Sequence, residues 1–325
     1  MNTPRITRRA LPALAALAAA PAAAQAPWPT RPIRFVVPWP PGGLNDLLAR
    51  AFNDRVSPLL GQTIVNDFKA GAGGRIGVAE VARANPDGYT IGMGNLGPLT
   101  IAPHLTRDMP YDVAKDIAPV MMFAASPLVL VVPASLPVNT LAEFAARVRS
   151  ASGRMNYGSI GVGSPQHLTF ELIIAGERMQ IEHIPYRGTG DSMIALLGGD
   201  IQAMFETLPT ILPAIRDGRV RALAVTTPNR VPQLPDVPTL AESGHPGFAV
   251  ASWYAVIAPA RTPTPILDKL YDVYTRVAMM PEMQSFLAEQ GLIYLPNTRT
   301  NFAERIVAES ARWAGIIRDR GISVN

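Results

Sequence analysis

Apolar and polar positions fall into short alternating blocks along most of the chain. Ile33–Val37 is a β-branched apolar run, and residues 47–60 carry apolar side chains at helical spacing. Residues 63–68 read as a second strand and 76–84 as a second helix, stopped by the turn Asn85-Pro86-Asp87-Gly88. A third strand covers 90–93. The middle of the chain repeats the alternation, with strands at 128–132, 155–159, 181–185, 203–205 and 222–226 and helices at 141–150, 167–174 and 193–197. A strand-like stretch at 249–258 precedes three helical stretches at 266–279, 281–290 and 302–320. This order implies an α/β fold in which parallel strands are joined by right-handed crossovers. The βα modules form two groups, one before residue 100 and one between 125 and 220.

Length agrees with two units, since 325 residues exceed the ~100–200 that one core commonly organises. A 48% hydrophobic share excludes a disordered chain. With no cysteine, structural disulfides, thiolate zinc sites and a cysteine nucleophile are excluded. Residues 1–26 read as an export signal. Arg5, Arg8 and Arg9 form a basic start, residues 10–20 are apolar, and Ala24-Gln25-Ala26 is a small-x-small cleavage site. That apolar run is far shorter than the ~20 residues that span a bilayer. Cleavage after Ala26 removes three arginines and lowers the formal charge from +4 to +1. A charge that small leaves no basic footprint for nucleic acid. The expectation is a protein outside the cytoplasm, in the periplasm.

Two turns carry the candidate chemistry. The first is Pro38-Trp39-Pro40-Pro41-Gly42-Gly43-Leu44-Asn45-Asp46, between the first strand and the first helix. Prolines fix its backbone, glycines permit close approach, and the helix start offers N–H groups to an anion. In open α/β sheets, ligands bind beyond the carboxyl ends of strands. The alternative is a tight turn in which Asn45 or Asp46 only caps the helix. The second is Tyr157-Gly158-Ser159-Ile160-Gly161-Val162-Gly163-Ser164-Pro165-Gln166-His167, again between strand and helix. There Ser164 is a candidate N-cap, Pro165 suits the first helical position, and Ser159 and Ser164 add hydroxyls. The two loops are expected to face each other across a cleft and grip one anionic group. Tyr186-Arg187-Gly188, at a strand end, is placed to complete the pocket. Leu44, Asn95, Glu206 and Thr207 are weaker candidates for its specificity. Trp253 either packs a hinge or touches the ligand.

Other readings fare worse. Gly92-Met93-Gly94-Asn95-Leu96-Gly97 matches a dinucleotide fingerprint, but Pro98 follows at once and the match falls on the third strand. It is expected to be a flexible exit from the first unit, with no cofactor bound. The four histidines show no metal-ligand spacing, and no metal is expected. No G-x-S-x-G elbow occurs, and no carboxylate is evident to orient His167 toward a serine, so an enzyme is not expected.

In combination, these motifs resemble one family. The order runs Pro38-Trp39-Pro40-Pro41-Gly42-Gly43 with Asp46, Ala70-Gly71-Ala72-Gly73-Gly74 with Gly77, Pro86-Asp87-Gly88-Tyr89-Thr90, and Tyr111-Asp112 with Asp116. It continues through Tyr157-Gly158-Ser159, Gly163-Ser164, His167-Leu168, Pro185-Tyr186-Arg187-Gly188, Leu223-Ala224-Val225-Thr226, Pro235-Asp236-Val237-Pro238-Thr239 and Trp253. This is similar to the Bug (Bordetella uptake gene) receptors, the extracytoplasmic solute-binding proteins of tripartite tricarboxylate transporters. The resemblance implies a two-lobed, type II-like periplasmic-binding-protein (Venus-flytrap) architecture with a ligand cleft between lobes. Lobe 1 is expected at 27–100 plus 226–325, with its last helices packing partly on lobe 2, and lobe 2 at 101–225. The implied ligand is a small organic acid, and the implied partners are transporter subunits in the membrane, met by a monomer. On this resemblance the site comprises Trp39, Pro41, Gly42, Gly43, Asp46, Asn95, Ser159, Gly161, Gly163, Ser164, His167, Tyr186, Gly188 and Thr207. Leu44-Asn45 departs from the small residue and threonine more usual in the family. An orphan sensor or a hydrolase on the same fold are the competing functions.

Overall fold

The computed structural model describes residues 28–151 and 154–322, so the export signal lies outside the described residues. The elements alternate as the pattern predicts. They begin β1 (Ile33–Val37), α1 (Leu44–Leu60), β2 (Ile64–Phe68), α2 (Arg75–Ala82) and β3 (Thr90–Asn95). A π-helical turn at Gly97–Ile101 leads to the short helices α3 (Ala102–Leu105) and α4 (Val113–Asp116) and then to β4 (Ile117–Pro133). The second series is α5 (Leu141–Ala151), β5 (Asn156–Ser159), α6 (Pro165–Glu177), β6 (Glu182–Pro185), α7 (Thr189–Gly198), β7 (Ala203–Thr207), α8 (Leu208–Arg216) and β8 (Val220–Val225). The chain closes with β9 (Ala251–Pro259), α9 (Thr264–Ala278), α10 (Pro281–Glu289) and α11 (Arg299–Arg320).

Strands run in the order β2-β1-β3-β9-β4-β7-β5-β6, with β8 also on β4. β1 pairs in parallel with β2 and β3, and β5 with β6 and β7, as two βα series require. The joint between them is β4. Its residues Ile117 to Pro127 lie antiparallel to β9, whereas Leu128 to Pro133 pair with β7 and β8. The sequence pattern shows only the second part of this strand. Pro119 and Pro127 interrupt the first part; the register slips between Pro119 and Met121, which accommodates the first, and Pro127 stands at the end of the β9 pairing, opposite Ala251. By strand pairing, residues 117–127 join β9 in the sheet that holds β1, β2 and β3. α8 also escapes the pattern, because Pro209 and Pro213 read as breakers. Pro209 sits in the first turn, where a missing N–H costs little.

Burial follows these pairings. Phe35, Phe52, Phe123 and Tyr274 pack together under the first sheet, with Phe52 and Phe123 centroids 4.6 Å apart. The other face of the same sheet takes α11. There Trp253 is fully buried and meets Phe302 edge-on at 5.4 Å, so its ring packs in the core. The segment expected to be a flexible exit is the opposite. Residues 91–102 are all buried, and a Cβ on Gly94 would come within 2.7 Å of Ile257 and 2.8 Å of Leu99.

Trp253→Ala is expected to lower the unfolding free energy by about 3–5 kcal/mol, the usual cost of emptying a buried aromatic site. Urea unfolding followed by far-UV dichroism reads this directly, and a loss below about 1 kcal/mol would show that α11 is not held through this ring.

Candidate functional site

The carboxyl ends of β1, β3, β5 and β7 point to one region, and the loops leaving them meet there. After β1, Trp39 is buried and its indole lies over Gly74, where any Cβ would come within 2.5 Å of the ring. Gly42 holds a φ of 92°, a left-handed conformation that favours glycine. Asp46 locks the turn: its carboxylate accepts the Gly42 N–H at 3.0 Å and pairs with Arg50. No side chain caps α1 at Gly43. The first intrahelical bond is Leu47 N–H to Gly43 O, so the N–H groups of Leu44, Asn45 and Asp46 lie ahead of the helix's own ladder.

The opposing wall is the start of α7. Its N-cap Gly188 is also without a side-chain cap, and Ser192 N–H to Gly188 O is the first helical bond. A Cβ on Gly43 would lie 3.6 Å from Thr189 Oγ1, and one on Gly188 would lie 3.0 Å from Pro40. Two uncapped helix starts thus face each other. Between them is a cavity of about 150 Å³ lined by Trp39, Pro40, Pro41, Gly43, Asn45, Ile160, Gly188, Thr189, Gly190 and Asp191. Among the described residues, no lysine, arginine or histidine stands in its walls. Each helix start offers an anion on the order of 0.3–2 kcal/mol through its aligned N–H groups.

Of the second glycine-rich loop, Ile160 stands on the cavity wall, and the glycines pack elsewhere. Gly161 approaches Gly73, a Cβ on Gly73 would lie 2.5 Å from Val162 O, and Gly163 packs at Ala102. Gly97 likewise abuts Gly163 O and Pro165. These are backbone contacts between the two series, and side chains there would hold them apart. The loop's polar groups are turned inward. Ser159 Oγ bonds the Gly161 backbone and His183 Nε2, the latter at 2.7 Å. Ser164 caps α6 by accepting the His167 N–H, as its position predicts. His167 Nδ1 accepts the Gly163 N–H at 3.3 Å, and its ring stacks on His183 at 4.1 Å. Burial, with His183 alongside, pushes the His167 pKa down to about 3, and burial pushes His183 down to about 4. Both imidazoles are neutral near pH 7, so His167 offers an anion no charge.

Several polar side chains gather behind the cavity. Asn95 is buried and donates to Asn45 Oδ1 at 3.0 Å, which ties β3 to the start of α1. Thr207 donates its N–H at 2.6 Å and its hydroxyl at 3.0 Å to Glu206 Oε1. Tyr186 is half-buried and donates its N–H to Ser159 O. Pro41 and Gly42 are exposed at the mouth. Of the expected residues, the structure brings Trp39, Pro41, Gly43 and Gly188 onto the cavity wall. It uses Asp46, Ser159, Gly161, Gly163, Ser164 and His167 to shape or close the surrounding loops. The sequence reading missed Thr189 and Asp191, although Gly188 followed by a helix with no Ser, Thr, Asp or Asn at its cap position was a signal for an open helix start. A larger cavity, about 740 Å³, lies elsewhere. It is an apolar hollow between the π-helical turn, α4 and α11, with no facing helix starts.

Two α/β series joined through shared strands, with a cavity at their meeting loops, define a periplasmic-binding-protein fold. Solved structures agree. Rpa4515 of R. palustris, described with adipate, superposes with a TM-score of 0.88 at 35% identity, covering 91% of this chain and 99% of that one. MatC of Rhodopseudomonas palustris, described with bound malate, gives 0.85 at 32% identity over 89% and 99%. Residues 48–322 match the family described as Tripartite tricarboxylate transporter family receptor. BugT of Bordetella pertussis is 36% identical over 298 residues, 90% of each chain. The chain belongs to this receptor family, whose members bind solutes and are not enzymes.

The buried histidine pair sets an acid limit. An unfolded chain takes protons on histidine near pH 6.5, whereas the folded chain resists until about pH 4 and about pH 3. Stability is therefore complete above pH 6.5 and falls as the pH drops from there toward 4, by on the order of a few kcal/mol. Urea midpoints between about pH 7 and about pH 4 are expected to fall less steeply in His183→Gln. Equal slopes would remove the pair from the acid response.

Proposed function

We propose that this receptor captures a small organic acid outside the cytoplasm and presents the closed form to transporter subunits in the membrane. The supporting observation is the pair of uncapped helix starts across one small cavity. A carboxylate leaving water needs donors, because an unpaired buried charge costs several kcal/mol. The N–H groups of residues 44–46 and 189–191 supply them from both sides without a bulky cation. The adipate and malate in the descriptions of Rpa4515 and MatC agree with an acidic ligand.

In this reading, the lobes divide within β4 near Pro127 and again near Val250, where the chain returns to β9. Bending at these two crossings separates α1 from α7, and the ligand's contacts with both exist only when they meet. The ligand therefore shifts the population toward closure. The receptor acts as a monomer in the periplasm after losing residues 1–26. No helix among the described residues is long and apolar enough to cross a membrane, and the small positive charge offers no platform for nucleic acid.

Calorimetric titration with succinate, malate, aspartate and adipate tests the reading. At least one is expected to bind, and at about 100 times its Kd to stabilise the fold by about 2.7 kcal/mol. Thr189→Pro removes one donor at a helix position where proline is tolerated, and is expected to weaken that acid tenfold or more. Failure of every acid to bind, or equal affinity in the variant, would contradict the proposal.

A further inference from the structure

We infer that Gln233 and Gly291 are positioning residues for ligand capture: they form a clasp beside the hinge that is made only when the two lobes are closed. The inference rests on the closure reading above and deepens it. The clasp lies apart from the cavity between α1 and α7, and the two regions share no lining residue. One half of the clasp is the loop after β8. Its Val231 and Leu234 are buried with Leu208 and Ile211 of α8. Val225 N–H to Pro238 O and Leu240 N–H to Val225 O hold the far end of this loop to β8. The other half is the turn after α10. Its Leu287 and Leu292 are buried with Phe52 and Tyr274 under the first sheet. Ala125 and Ile293 exchange N–H to O bonds at 2.8 and 2.9 Å, which fixes the turn to the first part of β4. Each half is therefore rooted in a different series.

The halves meet at two points. Gln233 Nε2 donates to Ala288 O at 3.0 Å. Gly291 holds a φ of 66°, and a Cβ there would lie 2.5 Å from Leu208 Cδ2 and 3.0 Å from the Gln233 carboxamide carbon. Both the conformation and the close approach call for glycine. Around these points the packing is loose. A cavity of about 400 Å³ opens between the halves, with Pro127 of β4 in its wall. Two of its lining residues carry buried polar atoms, Thr227 Oγ1 and Gln233 Oε1, that find no partner among the described residues. Few packed atoms resist parting here, so this is a contact that a change of lobe angle can break. Pro127 ends the β9 pairing, at the crossing where the closure reading places the bend. In the structure the clasp is made and the starts of α1 and α7 are in contact, so both belong to one arrangement. Each half moves with its own series. Opening therefore loses the Gln233 bond and the seat of Leu208 on Gly291 together. The clasp adds weight to the closed side of the equilibrium without touching the ligand.

Single-molecule energy transfer on the full mature chain tests this. The chain has no cysteine, so Asp54→Cys on α1 and Asp200→Cys just beyond α7, both exposed, carry the dye pair without competing thiols. The doubly labelled protein, otherwise unchanged, is expected to show a short and a long distance, and malate or adipate to favour the short one. Adding Gln233→Ala is expected to lower the short-to-long ratio without acid by about fivefold, the weight of one such hydrogen bond. Adding Gly291→Ala instead is expected to lower it further. Saturating acid is expected to return both variants to the short distance, at a Kd raised by up to the same factor. A merely structural defect would not be reversed in this way. Gln233 is half-buried, so its variant carries the test even where Gly291→Ala fails to fold. A ratio unchanged in Gln233→Ala, or shifted toward the short distance, would overturn this inference and leave the closure reading intact. One fixed distance in the labelled protein, with and without either acid, would overturn both.

Discussion

The structure depends on holding two helix starts open and opposed. An α-helix ordinarily satisfies its leading N–H groups with a capping side chain, as Ser164 does for α6 and Thr298 for α11. At Gly43 and Gly188 the cap position carries no side chain at all. The same absence lets the Trp39–Asp46 turn approach Thr189. Aligned N–H groups therefore converge where the described walls carry no basic side chain. Such a site favours a carboxylate by direction more than by net charge, and it weakens as soon as the two helices separate.

Several features keep the helices in register. Asp46 ties the Gly42 N–H and Arg50 into one turn. Asn95 carries a bond from β3 to Asn45 at the base of α1. On the other side, the buried Ser159, His167 and His183 set holds the loop after β5, with Glu171 Oε1 3.8 Å from His167 Nε2. Glycines at 73, 97, 161 and 163 let the two series touch backbone to backbone. β4 pairs with β9 over its first part and with β7 and β8 over its second, so both series are attached to the same strand.

Much of the fold was legible because its strands and helices carry clean periodicities: β1, β2, β5 and the three C-terminal helices fall within a few residues of the sequence pattern. The first part of β4 was not, because prolines that a bulged strand accommodates look like breaks in one dimension. α8 was hidden for a related reason. At the site, the two glycine-rich loops were visible, and so was the cap at Ser164. Which loops face each other was not visible, since it depends on how the two series rotate about β4. The bond from Ser159 Oγ to His183 Nε2 was not visible, since it joins two strands at positions 24 residues apart. Thr189 drew no attention because a single threonine after glycine carries no spacing signal.

A crystal structure with the tightest-binding acid is the most direct test. Carboxylate oxygens are expected about 2.7–3.2 Å from main-chain nitrogens of both the 44–46 and the 189–191 segments at once. Density for the acid in the apolar hollow beside α11, or on one of these segments with the other turned away, would contradict a carboxylate held between two opposed helix starts.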